Sequence, residues 1–345
     1  MKVFGRNPAG SRLPAISRSS QYKNGAFRNQ HETPVMAADS SFFGTLGAWL
    51  NKPASIRPAA PLPVIRTDLG SLPGNEPVVT WFGHSSYLIR ISGYTILVDP
   101  LFSGQASPFP FLVKSFDATY HYRAADMPPV DLLVLTHDHY DHLDYETILA
   151  LSPKVKKTVT TLGTSAHLEY WGIAPGSITE LDWEESCSPL PGIKLTAMPG
   201  RHFSGRGLTR GKTLWASFML DAGTFKMFIG GDSGYDRHFA DMGNRFGPFD
   251  LAVLECGQYN ERWPYIHMMP EETIRAAVDL KARQLLPVHW GKFALSLHPW
   301  NEPPERLLAA AGGKPVEILL PKIGEPVYPW RHHVFIPWWN DSSKW

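Results

Sequence analysis

The rhythm of apolar and polar positions changes near Glu76. Residues 1–75 are rich in Pro, Ser, Arg and Asn without periodicity, which predicts an irregular N-terminal arm that wraps the domain or is partly disordered. Residues 76–345 read as one domain. Runs of β character cover residues 77–82, 87–91 and 94–99, with a Ser92-Gly93 turn, and predict a small antiparallel meander. A loop rich in proline and aromatic residues follows from Phe102 to about Tyr122, long enough to suggest functional use. The apolar run 131–136 is a buried-type strand that leads directly into His137, with a helix over 145–151 behind it. The second half repeats the arrangement with strands over 194–198, 214–220, 225–229, 251–254 and 284–288. A helix over 270–280 carries Pro and acidic residues in its first turn, where the helix dipole favours them. Strands in two similar halves with helices on outer faces predict an α/β fold, a four-layer αββα sandwich.

Composition narrows the function classes. A chain of 345 residues with 43% apolar content can bury a sizeable core. Its 33 basic and 32 acidic residues leave no basic field to hold a nucleic acid. Two cysteines, Cys187 and Cys256, suit a reducing compartment. No apolar run approaches the roughly 20 residues of a spanning helix, and no signal-type core follows Met1. The expected location is cytoplasmic. The apolar stretch 42–50 could either lie on the inner membrane face or dock on its own domain. The composition is also compatible with a homodimer.

Thr136-His137-Asp138-His139-Tyr140-Asp141-His142 packs imidazoles and carboxylates into a few residues after an apolar strand, and these are ligands for a borderline divalent ion such as zinc. In an extended stretch His137 and His139 point the same way, while a turn swings Asp141 and His142 towards a second point. A histidine-rich loop can also be a solvated turn. Here, however, His202, Asp232 and His289 each stand just past a predicted core strand, and strand ends on one edge of a sandwich converge. The expected site holds two divalent metal ions.

The segment His137-x-His139-x-Asp141-His142, with the later His202, Asp232 and His289, resembles the metallo-β-lactamase superfamily signature. That resemblance implies His137, His139 and His202 on one metal, Asp141, His142 and His289 on the other, and Asp232 between them. A bridging hydroxide is the implied nucleophile, zinc the implied metal and hydrolysis the implied reaction. Trp81-Phe82-Gly83-His84-Ser85-Ser86, Asp99-Pro100-Leu101-Phe102-Ser103, Gly231-Asp232-Ser233-Gly234-Tyr235 and His289-Trp290-Gly291-Lys292-Phe293-Ala294-Leu295 resemble N-acylphosphatidylethanolamine-hydrolysing phospholipase D. So does Tyr265-Ile266-His267-Met268-Met269-Pro270, where His267 matches an additional active-site histidine. Gln21-Tyr22-Lys23-Asn24-Gly25-Ala26-Phe27-Arg28-Asn29 is similar to bacterial relatives.

The resemblance implies cleavage of a lipid phosphodiester, with Asp141, Asp232 and His267 as catalytic residues. His267 would orient the phosphate or protonate the leaving oxygen, and His84 would line the site or support a ligand. Phe109, Phe111, Tyr259 and Tyr265 are candidates for an acyl-accepting wall, although such residues also serve as plain packing. The competing readings are a lactonase resembling the ascorbate-phosphate lactonase branch, an iron-dependent redox member of the same fold, and a binding protein without catalysis.

Overall fold

The computed structural model describes residues 1–38, 42–109, 111–118 and 121–340. The arm begins with α1 (Leu13–Ile16) and a hairpin of β1 (Tyr22–Lys23) and β2 (Ala26–Phe27), tied to the domain by Phe27 N–H donating to the Gly211 carbonyl at 2.7 Å. The apolar stretch forms α2 (Phe42–Leu50). The side chains of Phe42, Phe43, Thr45 and Leu46, on which the membrane-surface expectation rests, lie outside the described residues, as does Pro110 of the expected acyl wall. Among the described residues no helix is long and apolar enough to cross a membrane.

Alternation along the strands sets the layers. The first sheet contains β3 (Val78–Trp81), β4 (Tyr87–Ile91), β5 (Tyr94–Val98), β6 (Val130–Leu135), β7 (Val155–Thr161) and β8 (Ile178–Leu181). In β6, Leu132 and Val134 belong to the core shared with the second sheet, while Leu133 and Leu135 pack with Ile148, Leu151 and Leu168. Those last three come from α3 (Tyr145–Leu151) and α4 (Ser165–Tyr170), the outer layer on this side. A strand buried on both faces reads as a continuous apolar run, as 131–136 does.

The second sheet contains β9 (Ser186–Leu190), β10 (Ile193–Met198), β11 (Ser217–Asp221), β12 (Lys226–Ile229), β13 (Phe249–Glu255), β14 (Ala282–Val288) and β15 (Glu317–Ile318). Its outer side meets α5 (His238–Phe246), α6 (Pro270–Asp279) and α7 (Glu302–Ala311). The short β16 (Pro326–Val327) returns to pair with β3. Both sheets have seven strands and the same plan: antiparallel neighbours first, then parallel ones from β5 through β8 and from β12 through β15.

Among the described residues β7, β8 and β9 go beyond the sequence expectation, as do the two-residue strands β1, β2, β15 and β16. In β7 the buried Val159 is flanked by buried threonines, and Thr160 and Thr161 donate to the carbonyls of Leu135 and Leu214 at 3.1 and 2.7 Å, so a buried strand carries a polar pattern. The strand expected over 214–220 starts only at Ser217. Leu214 and Ala216 N–H instead donate to the carbonyls of Leu162 and Thr136, at 2.9 and 3.0 Å, which diverts this stretch to the other half.

Candidate metal centre

The carboxyl ends of β5, β6, β10, β12, β13 and β14 lead to Asp99, His137, His202, Asp232, Glu255 and His289, placing chemistry along one rim, as open parallel sheets tend to do. The loop after β6 is held from within. Thr136 N–H and Oγ1 donate to the two oxygens of Asp99 at 2.9 and 2.6 Å. The N–H groups of His142 and Leu143 close a turn on the His139 carbonyl at 3.1 and 2.8 Å. His84 and His289 both adopt positive φ, 53° and 69°, and their backbones interlock: His84 N–H donates to Trp290 O and His289 N–H to His84 O. Such backbone strain persists only where the surroundings enforce it.

Three imidazole nitrogens meet at one point. His137 Nε2 and His139 Nδ1 are 3.0 Å apart, and His139 Nδ1 and His202 Nε2 are 3.2 Å apart. Nitrogens on a tetrahedral zinc at roughly 2.0–2.1 Å lie about 3.3 Å from one another, so this spacing suits a shared cation. The outward nitrogens are committed: His137 Nδ1 to Thr136 Oγ1 at 3.0 Å and His202 Nδ1 to the Ile266 carbonyl at 2.8 Å. These second partners fix ring orientation and tautomer.

A second set gathers Asp141, His142, His289 and His84, with ligand atoms within 4.8 Å of one another. His142 Nδ1–H donates to Asp99 Oδ2 at 2.8 Å, and His289 Nδ1 meets Ser85 Oγ at 2.9 Å. Asp232 stands between the sets. Its Oδ2 is 3.8 and 3.7 Å from the Nε2 atoms of His137 and His202, and its Oδ1 is 3.2 Å from His142 Nε2 and from His289 Nδ1. Among the described residues the buried atoms His142 Nε2, His289 Nε2 and Asp232 Oδ1 have no hydrogen-bond partner. Orphaned buried polar atoms are costly, and metal ions between them would satisfy them.

Electrostatics agree with ligation at His137, His202, His289, Asp141 and Asp232, whereas at His142 burial draws the imidazole down but Asp232 and Asp141 outweigh it and raise it well above the ordinary histidine range. Burial and neighbouring imidazoles hold His137 well below the ordinary histidine range, and burial does the same to His202 and His289. Burial pushes Asp141 and Asp232 up, but the surrounding histidines outweigh it and keep both ionised. Neutral imidazoles and ionised carboxylates are the ligand forms.

His84 is buried, with Nε2 2.9 Å from Asp141 Oδ2, so it touches a candidate ligand rather than open space. His267 lies against the rings of His202 and His289, at 5.1 and 5.2 Å between centroids. Phe109 and Phe111 form an exposed pair, 6.0 Å apart, connected through Phe4 to Tyr140 within the ligand loop. Tyr259 is placed elsewhere. Its hydroxyl donates to Glu302 at 2.6 Å and its ring stacks on His298 at 4.3 Å, in a neighbouring polar pocket with Arg306. Tyr265 lies half-exposed under the Arg201 guanidinium, 4.6 Å above its ring.

Asp99, Ser85, Glu255 and Asn29 support the site without having been singled out as site residues. Asp99 and Glu255 carry a local signal, an acid at a strand end, and Asp99, Ser85 and Asn29 lie in segments that carry the family resemblance. Nothing local names their partners, which are remote in sequence.

A family model described as the beta-lactamase superfamily domain matches residues 94–290. An uncharacterised protein of Mycobacterium tuberculosis is 39% identical over 338 residues, covering 95% of this chain and 90% of that protein. N-acyl-phosphatidylethanolamine-hydrolyzing phospholipase D 1 of Caenorhabditis elegans is 32% identical over 247 residues, covering 66% and 68%. Among solved structures, CmlA, a diiron β-hydroxylase from Streptomyces venezuelae, superposes with a TM-score of 0.57 at 18% identity over 74% of this chain and 55% of its own.

Proposed function

The chain belongs to the metallo-β-lactamase superfamily and is a metal-dependent hydrolase, and from that premise we propose that it is a zinc phosphodiesterase of phospholipase D type acting on N-acylphosphatidylethanolamine-like lipids. The observation that carries the reading is the division of Asp232, one oxygen towards each ligand set. His137, His139 and His202 would hold one ion, Asp141, His142 and His289 the other, and Asp232 both. Two bound dications supply a lowered pKa for the attacking water and neutralise charge on phosphate oxygens.

The chain's own residues do the rest. Asp99 orients His142, and His84 holds Asp141 by one carboxylate oxygen. His267 has a side chain 13% exposed, against 1% for His202 and His289, so it faces the approach to the site and can give a proton to a leaving oxygen. The exposed Phe109 and Phe111 offer an apolar rim for acyl chains, and the likeness to the nematode phospholipase supports a lipid substrate.

Metal content by elemental analysis, joined to hydrolysis of a bis-aryl phosphodiester and of N-acylphosphatidylethanolamine, tests this reading. The expected result is about two zinc ions per chain, cleavage of both esters, and loss of both activities in Asp232→Asn. Zinc without phosphodiester cleavage would put the lactonase first. Iron without hydrolysis would favour redox chemistry.

A further inference from the structure

We propose that Glu255 is a positioning residue for His267, a buried carboxylate that fixes the imidazole so that Nε2 delivers a proton to the oxygen leaving phosphorus. This rests on the phosphodiesterase reading given above. Glu255 is the last residue of β13 and is 1% exposed. Its Oε2 accepts from His267 Nδ1–H at 2.6 Å. Its Oε1 accepts from two backbone N–H groups, Ser233 at 3.0 Å and Met268 at 3.2 Å. Ser233 follows Asp232 and Met268 follows His267, so one carboxylate ties together the chain segments that carry both groups.

Asp232, Glu255, His267 and His289 bring ligand-type atoms within 4.8 Å, which by distance alone would pass for another metal site. The hydrogen bonds argue otherwise. Both oxygens of Glu255 are engaged by N–H donors, and His267 Nδ1 is committed to Glu255, so neither group is open to an ion at those atoms. Among the described residues no hydrogen bond engages His267 Nε2, on a side chain that reaches solvent while its partner does not.

The consequence is a defined tautomer. With Nδ1–H held by a carboxylate, Nε2 is the position that gains and loses the proton. In the reaction a water oxygen bonds to phosphorus and the bond from phosphorus to the leaving oxygen breaks. The Nε2 proton passes to that oxygen, which departs as the alcohol, and the proton lost by the water returns to solvent, from which His267 is reprotonated.

The test uses the zinc-loaded enzyme, the variants Glu255→Gln, His267→Ala and their double, and two substrates. Bis(4-nitrophenyl) phosphate has a leaving group that needs no proton, whereas N-acylphosphatidylethanolamine releases an alkoxide. We expect Glu255→Gln to lower kcat about 100-fold on the lipid with KM unchanged, and only a few-fold on the aryl ester. His267→Ala and the double variant should match, and metal content should stay at the wild-type level. Equal losses on both esters, loss of metal, or additive effects in the double variant would overturn the proposal. Nitrogen-15 NMR of the wild-type imidazoles gives an arm independent of turnover and of variant folding: His267 should carry its proton on Nδ1. If wild type cleaves neither ester, the phosphodiesterase reading falls and with it the proton donation. The NMR arm still decides the pairing, and a His267 without a proton on Nδ1 refutes it.

Discussion

Asn29 clasps the peptide of His202 from both sides: its Oδ1 accepts from His202 N–H at 3.1 Å and its Nδ2 donates to the His202 carbonyl at 2.7 Å. The same Oδ1 accepts from Trp215 Nε1 at 3.2 Å. A residue of the N-terminal arm thus sets the backbone of a candidate ligand. Asn29→Ala should weaken divalent-metal binding about 10- to 100-fold, the usual cost of losing a supporting partner. Competition with a chelator checks this, and unchanged affinity would show that the loop holds itself.

Asp232 faces both ligand sets, so Asp232→Asn should bind at least about one ion fewer per chain than wild type. Chelation of the wild type should lower its Tm, because ions that bind only the folded state contribute about 2.7 kcal/mol when present at about 100 times their Kd. Elemental analysis and thermal melts read both effects.

Gly234 cannot carry a side chain. A Cβ there would sit 2.0 Å from the Tyr265 carbonyl oxygen and 2.3 Å from its carbon, both backbone atoms two residues before His267. Gly234→Ala should therefore cost roughly 1–3 kcal/mol or more and displace the segment that carries His267. Urea denaturation measures the first effect, and the His267 NMR signal reports the second.

His238 is buried, and burial draws its value from 6.5 down to about 4. Below pH 6.5 the unfolded chain takes up the proton while the folded one does not. The neutral ring thus contributes stability above pH 6.5 that is lost as the pH falls towards 4, up to about 3 kcal/mol. His238→Gln should lose less stability than wild type between pH 7 and pH 5 in urea titrations. Equal losses would refute the assignment.

Phe109 and Phe111 are 37% and 72% exposed, more than packing requires. Replacing both with serine should raise KM for a long-chain lipid at least about 10-fold, the scale of losing ~1.4 kcal/mol of apolar contact, and leave a short-chain ester almost unchanged. An unaltered ratio between the two substrates would remove the loop from substrate binding.

Much of the frame was legible because its strands are local runs. Aromatic and β-branched runs in 87–91 and 94–98 mark strands, and the apolar runs ending before His137, Asp232 and His289 mark core strands with polar groups at their carboxyl ends. The polar β7 hid because threonine hydroxyls were paying their own desolvation through backbone acceptors, and no composition rule registers that. Tyr259 and Tyr265 shared an aromatic-rich stretch with His267, but short-range proximity does not state direction. Tyr259 turned to Glu302 and Tyr265 to Arg201.

The sequence by itself determined the types of candidate ligand, their grouping within 137–142 and their places after apolar strands, since strand pattern and donor chemistry are local properties. Only the tertiary structure decided that Asp232 turns one oxygen to each ligand set, that Glu255 meets His267, and that Asn29 reaches back to His202. Those contacts join segments separated by up to 173 residues. They depend on sheet order and on the hydrogen bonds that aim each side chain, which no local pattern contains.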